Sequence, residues 1–484
     1  MPFYLALLLA FVRASTLNAP AIPNIPEVRS AGGVATLALR AALDPSGRPA
    51  FFWQGREVAP TIRVRPGDVI RIHYENELPE VCGLGMVSDS NLHFHGLVTA
   101  PVRPGDEVIV TNVAPHHAID YAVKIGPRQP PGLYWYHPHP HLLSNWQIGN
   151  GMAGAIVVEG IANELPQLAG LRERVVVLRD IPVNGSFAAA FAQTRPRLPK
   201  SQRSAAPSSL IDSDDFQGDA PCGVETDGQP TINGFPSVSI GIRPHERQLW
   251  RILNASAGRH FDLTIPGARI DLVALDGVPL GDFTGARRER TVDHVLIPPG
   301  SRAEVVVTGP EHPLLLVSQC FDAGARGDEN PGVIFAELVD DGDTMTTARV
   351  APPLAHVASP SLGLAGTRVA TQRALRFQED SKRFYIDNLS YKPSLPPLIV
   401  ARTGTVEEWT VENATDEVHV FHLHQAHFAV EGTNEWRDTI DLAPRSRVRI
   451  IVDFRDPVIR GTFLVHCHLA DHEDGGMMAK VRVL

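Results

Sequence analysis

Four His-x-His pairs, duplicated in their spacing, limit what this chain can fold into. Within each half of the set, the second pair follows the first after 44 residues. The pairs are His93 and His95, His137 and His139, His422 and His424, and His466 and His468. Side chains on a strand alternate between its two faces, so each pair directs both imidazoles to one side. The duplication predicts two copies of one β module with a metal cluster between them.

A second repeat extends this interpretation to three modules. The segments at 65–76, 243–254 and 402–413 each begin with Arg and reach Asn eleven residues later, with apolar residues between. PPGSRAEVVV at 298–307 likewise resembles APRSRVRIIV at 443–452. Short Val/Ile/Thr-rich runs separated by Gly, Pro and Asp are typical of sandwiches or barrels. The sequence therefore predicts an all-β chain with three consecutive β domains.

Composition shifts suggest where these domains begin and end. The predicted divisions are an N-terminal arm at 1–29, domain 1 at 30–160, domain 2 at 161–345 and domain 3 at 346–484. A linker is predicted within 341–370, and the Ser/Ala/Pro/Arg-rich stretch 187–221 is predicted to be a surface insertion in domain 2.

Charge and the amino terminus bear on partners and location. The net charge is −10 without any basic block, which argues against a nucleic-acid partner. The apolar run from Phe3 to Val12 is too short to span a bilayer but suits a signal peptide cleaved after Ala14. It lacks the usual basic start, so a mis-assigned or truncated start is the alternative. A signal peptide predicts a secreted or periplasmic protein, and no later run is long enough for a membrane span.

The residue types at the repeated pairs point to copper. Eight imidazoles are too many for one ion and suit a cluster of about three. Cys467 lies between His466 and His468, so its thiolate faces away from the cluster and is joined to it through the backbone. Imidazole and thiolate are ligands that copper prefers, and two more imidazoles with a weak axial thioether would complete a blue-copper site. His419, His472 and Met477 fit by spacing, although the adjacent Met478 is an alternative.

The two copies are not equivalent. At the offset of 329 residues (422 − 93), the positions of His419, Cys467 and His472 are taken by Ser90, Pro138 and Leu143. Domain 1 is therefore predicted to hold half of the cluster and no blue site. Domain 2 contains no His-x-His, so it is expected to space the outer domains or to shape a substrate cleft.

In these motifs the chain resembles the three-domain multicopper oxidases, bacterial and laccase-like in type. The matching segments are NLHFHGL at 91–97, YWYHPHPH at 134–141, GMAGAIVVEG at 151–160, HVFHLHQAHF at 419–428, RDTI at 437–440 and HCHLADHEDGGMM at 466–478. The resemblance implies three cupredoxin-like Greek-key domains and four coppers. It assigns type 1 copper to His419, Cys467, His472 and axial Met477, and type 2 copper to His93 and His422. It assigns the type 3 pair to His95, His137, His139, His424, His466 and His468.

The resemblance also implies roles for two acids. Reduction of dioxygen to water consumes protons that buried groups must deliver. Glu473 follows His472, where relatives have a Glu that assists proton supply, and Asp106 falls where relatives have an Asp near type 2 copper. The alternative is that both are solvated acids. This chain has Gln425-Ala426 where many relatives have Gly. Because these residues follow the ligand His424, we expect them to alter the local packing without loss of copper.

Other His and Cys residues receive no ligand role. His141 and His427 extend two motifs and are interpreted as supporting or surface histidines. Cys222 and Cys320 are a candidate disulfide, with two ordinary buried thiols as the alternative.

Together these features predict a laccase-like oxidase. A small, phenolic donor would give single electrons at type 1 copper, and dioxygen would be reduced to water at the three-copper cluster. One alternative is a cuprous oxidase for copper tolerance, disfavoured because only Met477 and Met478 cluster among six methionines. Another is a non-catalytic cupredoxin-fold scaffold or division-type protein, disfavoured because such proteins lack the ligands present here. A two-domain copper nitrite reductase would not need four His-x-His pairs.

Overall fold

A computed structural model describes residues 19–182, 228–281, 289–340, 348–354, 363–364, 367–433 and 435–484. Its described residues form mainly strands, arranged in three consecutive units that each contain two five- to seven-stranded sheets. The all-β class and the cupredoxin-like architecture predicted from the sequence are confirmed. The domain bounds given above stay predictions, and the strands below are grouped by the sheets that they form.

The first unit contains ten strands: β1 (Glu27–Arg29), β2 (Val34–Leu43), β3 (Pro49–Trp53), β4 (Arg56–Glu57), β5 (Thr61–Val64), β6 (Val69–Asn76), β7 (His93–His95), β8 (His117–Lys124), β9 (Gly132–His137) and β10 (Gly154–Val158). One sheet has the order β1-β5-β10-β9-β7, and the other has the order β4-β3-β2-β6-β8. The first of these sheets carries three of the unit's four paired histidines.

The second unit contains fourteen strands: β11 (Arg172–Pro182), β12 (Gly228–Ile232), β13 (Val238–Gly241), β14 (Arg247–Asn254), β15 (Phe261–Thr264), β16 (Ile270–Leu275), β17 (Val278–Pro279), β18 (Arg290–Val292), β19 (Val295–Ile297), β20 (Arg302–Thr308), β21 (Leu314–Gln319), β22 (Phe321–Asp322), β23 (Glu329–Asn330) and β24 (Val333–Val339). One sheet has the order β12-β11-β14-β20-β16-β17 with β18 paired to β16, and the other has the order β13-β24-β21-β15-β19. Strands β22 and β23 form a separate hairpin.

The third unit contains eleven strands: β25 (Val369–Glu379), β26 (Phe384–Ile386), β27 (Ile399–Ala401), β28 (Thr405–Asn413), β29 (His419–Leu423), β30 (Phe428–Val430), β31 (Glu435–Arg437), β32 (Thr439–Leu442), β33 (Arg447–Phe454), β34 (Gly461–Cys467) and β35 (Met478–Val483). The sheets have the orders β26-β25-β28-β33-β30-β31 and β27-β35-β34-β29-β32.

The sequence repeat corresponds to one strand in each unit. Strands β6, β14 and β28 each pair in parallel with an earlier strand and antiparallel with a later one. Each ends at the repeated Asn, which is fully buried: Asn76, Asn254 and Asn413. In each, the side-chain amide donates to two or more main-chain carbonyls of the following loops. A buried amide must have partners, so the repeated Asn fixes the loops that leave the strand.

In the described part of the chain, three short helices lie at the joints between the units: α1 (Ser144–Gly149), α2 (Ile161–Glu164) and α3 (Ala470–Asp474). The main-chain N–H of Asn145 in α1 donates to the carboxylate of Asp474 in α3 at 2.9 Å. This contact helps to hold the first and third units side by side. Single-turn 3₁₀ helices occur at Pro166–Leu168 and Pro457–Ile459.

Each unit has its own apolar core, and one smaller cluster joins the first and second units. The searched part of the chain has no helix with the length and apolarity needed to cross a bilayer. The predicted signal peptide, the insertion at 187–221 and Cys222 lie outside the described residues. Cys320 is disulfide-bonded, whereas Cys82 and Cys467 are free, buried thiols.

Candidate metal centre

Neighbouring strands place the paired histidines in register. In the first unit, β7 pairs with β9 so that His93 lies opposite His137. In the third unit, β29 pairs with β34 so that His422 lies opposite His466. Since side chains opposite each other lie on the same face of a sheet, each unit presents its histidines together. Only His93 and His95 lie together within one strand, whereas His139, His424 and His468 lie beyond the ends of β9, β29 and β34.

The two halves meet at the boundary between the first and third units. The imidazole of His93 stacks on that of His424 with centroids 3.8 Å apart, and His95 stacks on His422 at the same separation. All eight histidines are at most 2% exposed. The structure therefore brings together every residue of the predicted cluster.

The eight rings divide into two triplets and a pair. The first triplet is His139, His424 and His466, whose nearest ring nitrogens lie within 4.8 Å of one another. The second triplet is His95, His137 and His468, whose ring centroids are 5.0 to 5.8 Å apart. The pair is His93 and His422, with centroids 6.0 Å apart. The ring nitrogens also form other groups of three, such as His93 with His95 and His137, so this division follows the copper assignments that the resemblance implied and is not fixed by distance alone.

The chemistry of these rings fits cation binding. Burial lowers the pKa of each histidine, to about 4 for His139 and His422, and repulsion from neighbouring rings adds to this effect for all but His139, so the rings are neutral at pH 7. Neutral rings have lone pairs available for a metal. Buried ring nitrogens without a hydrogen-bond partner are found on His93, His95, His137, His422, His424 and His468. Unpaired buried nitrogens are costly unless a ligand satisfies them.

Main-chain carbonyls select which nitrogen of a ring is free. Nδ1 of His137 donates to the carbonyl of Pro138 at 2.9 Å, and Nδ1 of His422 donates to the carbonyl of Asp438 at 2.8 Å. In both rings Nε2 is the nitrogen left without a partner. A hydrogen bond of this kind fixes the tautomer and orientation of a metal-binding imidazole.

The predicted blue-copper residues also converge, on the other side of β34. Sγ of Cys467 lies 3.6 Å from Nδ1 of His419 and 3.7 Å from Nδ1 of His472, and the two nitrogens are 3.0 Å apart. The main-chain N–H of Val420 donates to the same sulfur at 3.4 Å. Burial raises the pKa of the Cys467 thiol, so the thiolate form needs a cation beside it. Two imidazoles and one thiol around one point match the set that a blue copper needs.

Burial favours Met477 over Met478 as the axial residue. Met477 is fully buried in the same apolar cluster as Cys467, whereas Met478 belongs to a separate cluster with Tyr391 and Leu464. The main-chain N–H of Cys467 donates to the carbonyl of Met477 at 3.0 Å, which ties the two segments together.

Among His419, Cys467 and His472, His472 is the most exposed, and acids surround its ring. Its ring stacks on Phe384 at 4.1 Å, and its side chain is 7% exposed. Nε2 lies 3.5 Å from Glu417 and 3.8 Å from Asp471. Burial raises the pKa of Glu417 well above its ordinary value, and the charges of Glu379 and Asp471 raise it further.

The two acids predicted to supply protons both contact cluster histidines. The carboxyl of Glu473 lies 3.4 Å from Nδ1 of His139 and 3.2 Å from Nδ1 of His466, and burial raises its pKa to about 8. The carboxyl of Asp106 lies 3.0 Å from Nδ1 of His93, and burial raises its pKa to about 7. These buried acids are not solvated, and their catalytic roles remain proposals.

Sequence reasoning missed several residues that contact the rings. Trp135 stacks on His137 at 4.1 Å. Asp438 and Thr439 each lie 3.2 Å from Nε2 of His95. Both belong to the RDTI segment at 437–440, which resembles the multicopper oxidases but was given no role from the sequence. This polar segment was the one sequence feature that could have predicted these contacts. His427 is buried 3.9 Å from Asp438, which supports its interpretation as a supporting histidine.

His141 is half-buried, with its ring 5.0 Å from that of Tyr391.

Gln425, which stands where many relatives have Gly, has an unusual backbone conformation. Its φ is 55°, in the left-handed region that favours glycine. Its side-chain amide donates to Asp106, which lies next to His93. The altered packing expected here thus connects the third unit to an acid of the first.

Comparisons with known proteins agree with this geometry. Three family models described as Multicopper oxidase match residues 40–163, 205–314 and 367–484. The chain is 23% identical to Multicopper oxidase mco of Staphylococcus haemolyticus over 89% of this chain and 83% of that protein. It is 24% identical to Cell division protein FtsP of Glaesserella parasuis over 84% of this chain and 80% of that protein. The fold is similar to a multicopper oxidase from Campylobacter jejuni described as a metallo-oxidase, with TM-score 0.72, 20% identity and coverage of 96% and 95%.

Proposed function

This chain belongs to the multicopper oxidase family, and from that premise we propose that it is a laccase-like oxidase acting on phenolic donors. Copper, when bound, supplies one-electron redox chemistry between a donor and dioxygen. Four phenols would each release one electron and one proton, and dioxygen would take up four electrons and four protons to give two waters. The convergence of His419, Cys467 and His472 beside the eight-histidine cluster is the observation that carries this proposal.

We propose four copper ions, held by the residues that the motifs assign. The blue site uses His419, Cys467, His472 and Met477. The pair His93 and His422 holds one ion, and each triplet described above holds one. The burial of the cluster histidines excludes bulk water from their rings. Hydrogen bonds to main-chain carbonyls fix the orientation of the His137 and His422 rings.

The side chains around His472 would receive the donor. A phenol that loses an electron also loses its hydroxyl proton, so it needs an acceptor nearby. Glu417 lies 3.5 Å from Nε2 of His472, so its carboxyl, when ionised, is placed to accept that proton. At the cluster, Glu473 would deliver protons between His139 and His466.

Oxygen uptake by the copper-loaded protein tests the proposal. We expect one dioxygen consumed for every four molecules of a methoxyphenol oxidised. In Glu417→Gln, phenol turnover should fall by roughly 100-fold, whereas turnover of ferrocyanide, which releases no proton, should not fall. Glu431→Gln, at an acid that is 51% exposed, is the control. A blue, copper-loaded protein that leaves methoxyphenols unoxidised would contradict the phenolic assignment.

A second donor class is favoured by a specific cluster of acids. Glu417 interacts with Glu379, Asp471 and Asp328, and Oε2 of Glu379 is buried without a hydrogen-bond partner. Carboxylate oxygens suit hard divalent cations, whereas Cu(I) prefers thioether sulfur. We therefore propose Fe²⁺ or Mn²⁺ as an alternative donor, ahead of the cuprous ion considered from the sequence. The metallo-oxidase description of the Campylobacter jejuni protein supports this class.

Substrate kinetics separate the two donor classes. If a cation binds among the acids, Glu379→Gln should raise KM for Fe²⁺ at least tenfold and leave KM for a methoxyphenol unchanged. Equal KM values for Fe²⁺ in the variant and the parent would exclude a site at Glu379.

We also propose a secreted or periplasmic location, supported by the apolar run from Phe3 to Val12. Fractionation of the native host would test that location.

A further inference from the structure

A buried ion pair between the second and third units touches the histidine cluster through its acid. Arg302 begins β20 and is fully buried. Its guanidinium donates to both carboxylate oxygens of Asp438, at 2.8 and 2.6 Å. It also donates through Nε to the carbonyl of Leu133 at 3.1 Å. One side chain therefore connects all three units, because Leu133 lies in β9 and Asp438 lies between β31 and β32.

The carboxylate that Arg302 holds faces two cluster histidines. Oδ1 of Asp438 lies 3.2 Å from Nε2 of His95, and the carbonyl of Asp438 accepts from Nδ1 of His422 at 2.8 Å. A carboxylate paired with arginine accepts hydrogen bonds, so Nε2 of His95 carries the proton in this contact. That leaves Nδ1 of His95 and Nε2 of His422 without partners.

A second acid of the second unit, in the turn between β16 and β17, supports the residues on either side of Asp438. Asp276 accepts from the main-chain N–H of Arg302 at 2.9 Å and from Nε of Arg437 at 2.6 Å. Although burial raises the pKa of Asp276, Arg437 and Arg302 lower it to about 2, so it is ionised. Two carboxylates and two guanidiniums thus alternate across the boundary between the second and third units.

The packing around this loop leaves little space. A Cβ on Gly96, the residue after His95, would meet Nη2 of Arg302 at 2.4 Å. A Cβ on Gly300, whose φ is +83°, would meet Nε2 of His468 at 2.7 Å. The segment from Gly300 to Arg302 is therefore fitted against Gly96 of the first unit and the ring of His468 in the third.

This burial is not a property of the repeated strand. In the corresponding segment at 443–452, the position of Arg302 is taken by Arg447, whose side chain is 68% exposed. The equivalent arginine at the start of β33, Arg447, is thus exposed to solvent. Only in the second unit does the repeated arginine contact the cluster.

We propose that Arg302 is a positioning residue for the copper cluster: by holding Asp438, it sets which nitrogens of His95 and His422 face the metal. The second unit, which has no cluster ligand of its own, thereby controls occupancy of a site built from the other two. The inference rests on copper binding by this family and not on the identity of the donor.

Copper loading of folded protein tests this role. Arg302→Lys keeps the charge but loses the two-pronged contact with Asp438. After copper loading and removal of unfolded material, we expect the blue absorbance to be retained. The type 2 electron paramagnetic resonance signal and the near-ultraviolet absorption of the type 3 pair should fall at least fivefold relative to it. The blue site is an internal control, since its residues do not contact Arg302.

A matched control separates positioning from general stability. Arg251 is also fully buried and paired, with Glu173 and Glu304, but contacts no cluster histidine. Arg251→Lys should lower the melting temperature while the ratio of type 2 and type 3 signals to blue absorbance is unchanged. If Arg302→Lys fails to fold, Asp438→Asn, which keeps the shape, provides the same comparison.

Full type 2 and type 3 signals in folded Arg302→Lys or Asp438→Asn would overturn the inference. An equal loss in Arg251→Lys would also overturn it, because stability alone would then account for the effect. These readouts do not involve a donor, so a protein that loads copper but oxidises no phenol would contradict only the proposed function.

Discussion

The main-chain carbonyl of Cys467 accepts a hydrogen bond from Nδ1 of His466 at 2.9 Å. The residue that carries the thiol of the candidate blue site is thus joined to His466 twice, by the peptide bond and by this hydrogen bond. The carbonyl also orients the ring of His466, whose Nε2 lies 3.0 Å from Nε2 of His424. The two metal sites therefore share one rigid segment of β34.

The thiol of Cys467 should be indispensable for colour. Cys467→Ser removes the thiolate donor, so we expect loss of the blue absorption and of oxidase activity, with type 2 and type 3 copper retained. Cys82→Ser is a matched control, because Cys82 is the other free, buried thiol. Absorption and electron paramagnetic resonance spectra check the outcome. A serine variant at 467 that stays blue would show that the thiolate lies elsewhere.

Glu473 should affect one half-reaction. Burial raises its pKa to about 8, so it keeps its proton at pH 7 and can donate it. Glu473→Gln retains the shape without the titrating group. We expect dioxygen reduction to slow by roughly 100-fold and reduction of the blue copper by substrate to be nearly unchanged in stopped-flow measurements. Equal slowing of both steps would indicate a disturbed His472 instead.

Met477 should set the potential of the blue copper. A thioether donates weakly and favours Cu(II), so Met477→Leu should raise the potential with little change in volume. Each rise of roughly 59 mV corresponds to about 1.4 kcal/mol for one electron. Redox titration of the blue band provides the measurement, and Met478→Leu is the control. A shift only in Met478→Leu would move the axial role by one residue.

Copper-free protein should lose stability in acid. The pKa of His139 and His422 is lowered to about 4 by burial, whereas the ordinary value is 6.5. Below pH 6.5 the unfolded chain therefore binds protons that the folded chain does not, and stability is lost as the pH falls toward 4. Each such histidine contributes about 1.4 kcal/mol per pH unit.

Five buried acids with raised pKa values oppose this trend, but the eight cluster histidines outnumber them: Asp106, Glu304, Glu417, Glu473 and Asp474. Denaturant unfolding between pH 4 and 6.5 gives the slope, which should be smaller in His139→Gln and unchanged in His312→Gln at the surface. A slope that is the same in His139→Gln as in the parent would contradict the lowered pKa of this ring.

The spacing of the histidines was sufficient to predict the cluster, because strand alternation is a local property. His93 and His95 share a face whatever surrounds them, and the 44-residue interval places the second pair on a neighbouring strand. The strand repeat ending at Asn76, Asn254 and Asn413 likewise predicted equivalent β units. The all-β class, the copper family and the grouping of the candidate ligands therefore followed from the sequence alone.

Only the tertiary structure decided what surrounds those ligands. Asp438 lies 343 positions from His95, and Arg302 reaches the cluster from a unit that has no His-x-His. Such contacts depend on how separate units dock, and no local periodicity encodes docking. Arg302 and Arg447 occupy equivalent positions at the starts of two repeated strands. Arg302 is buried beside the cluster, whereas Arg447 is exposed to solvent. Sequence determined the ligand set, whereas packing between units determined the acids and arginines that orient it.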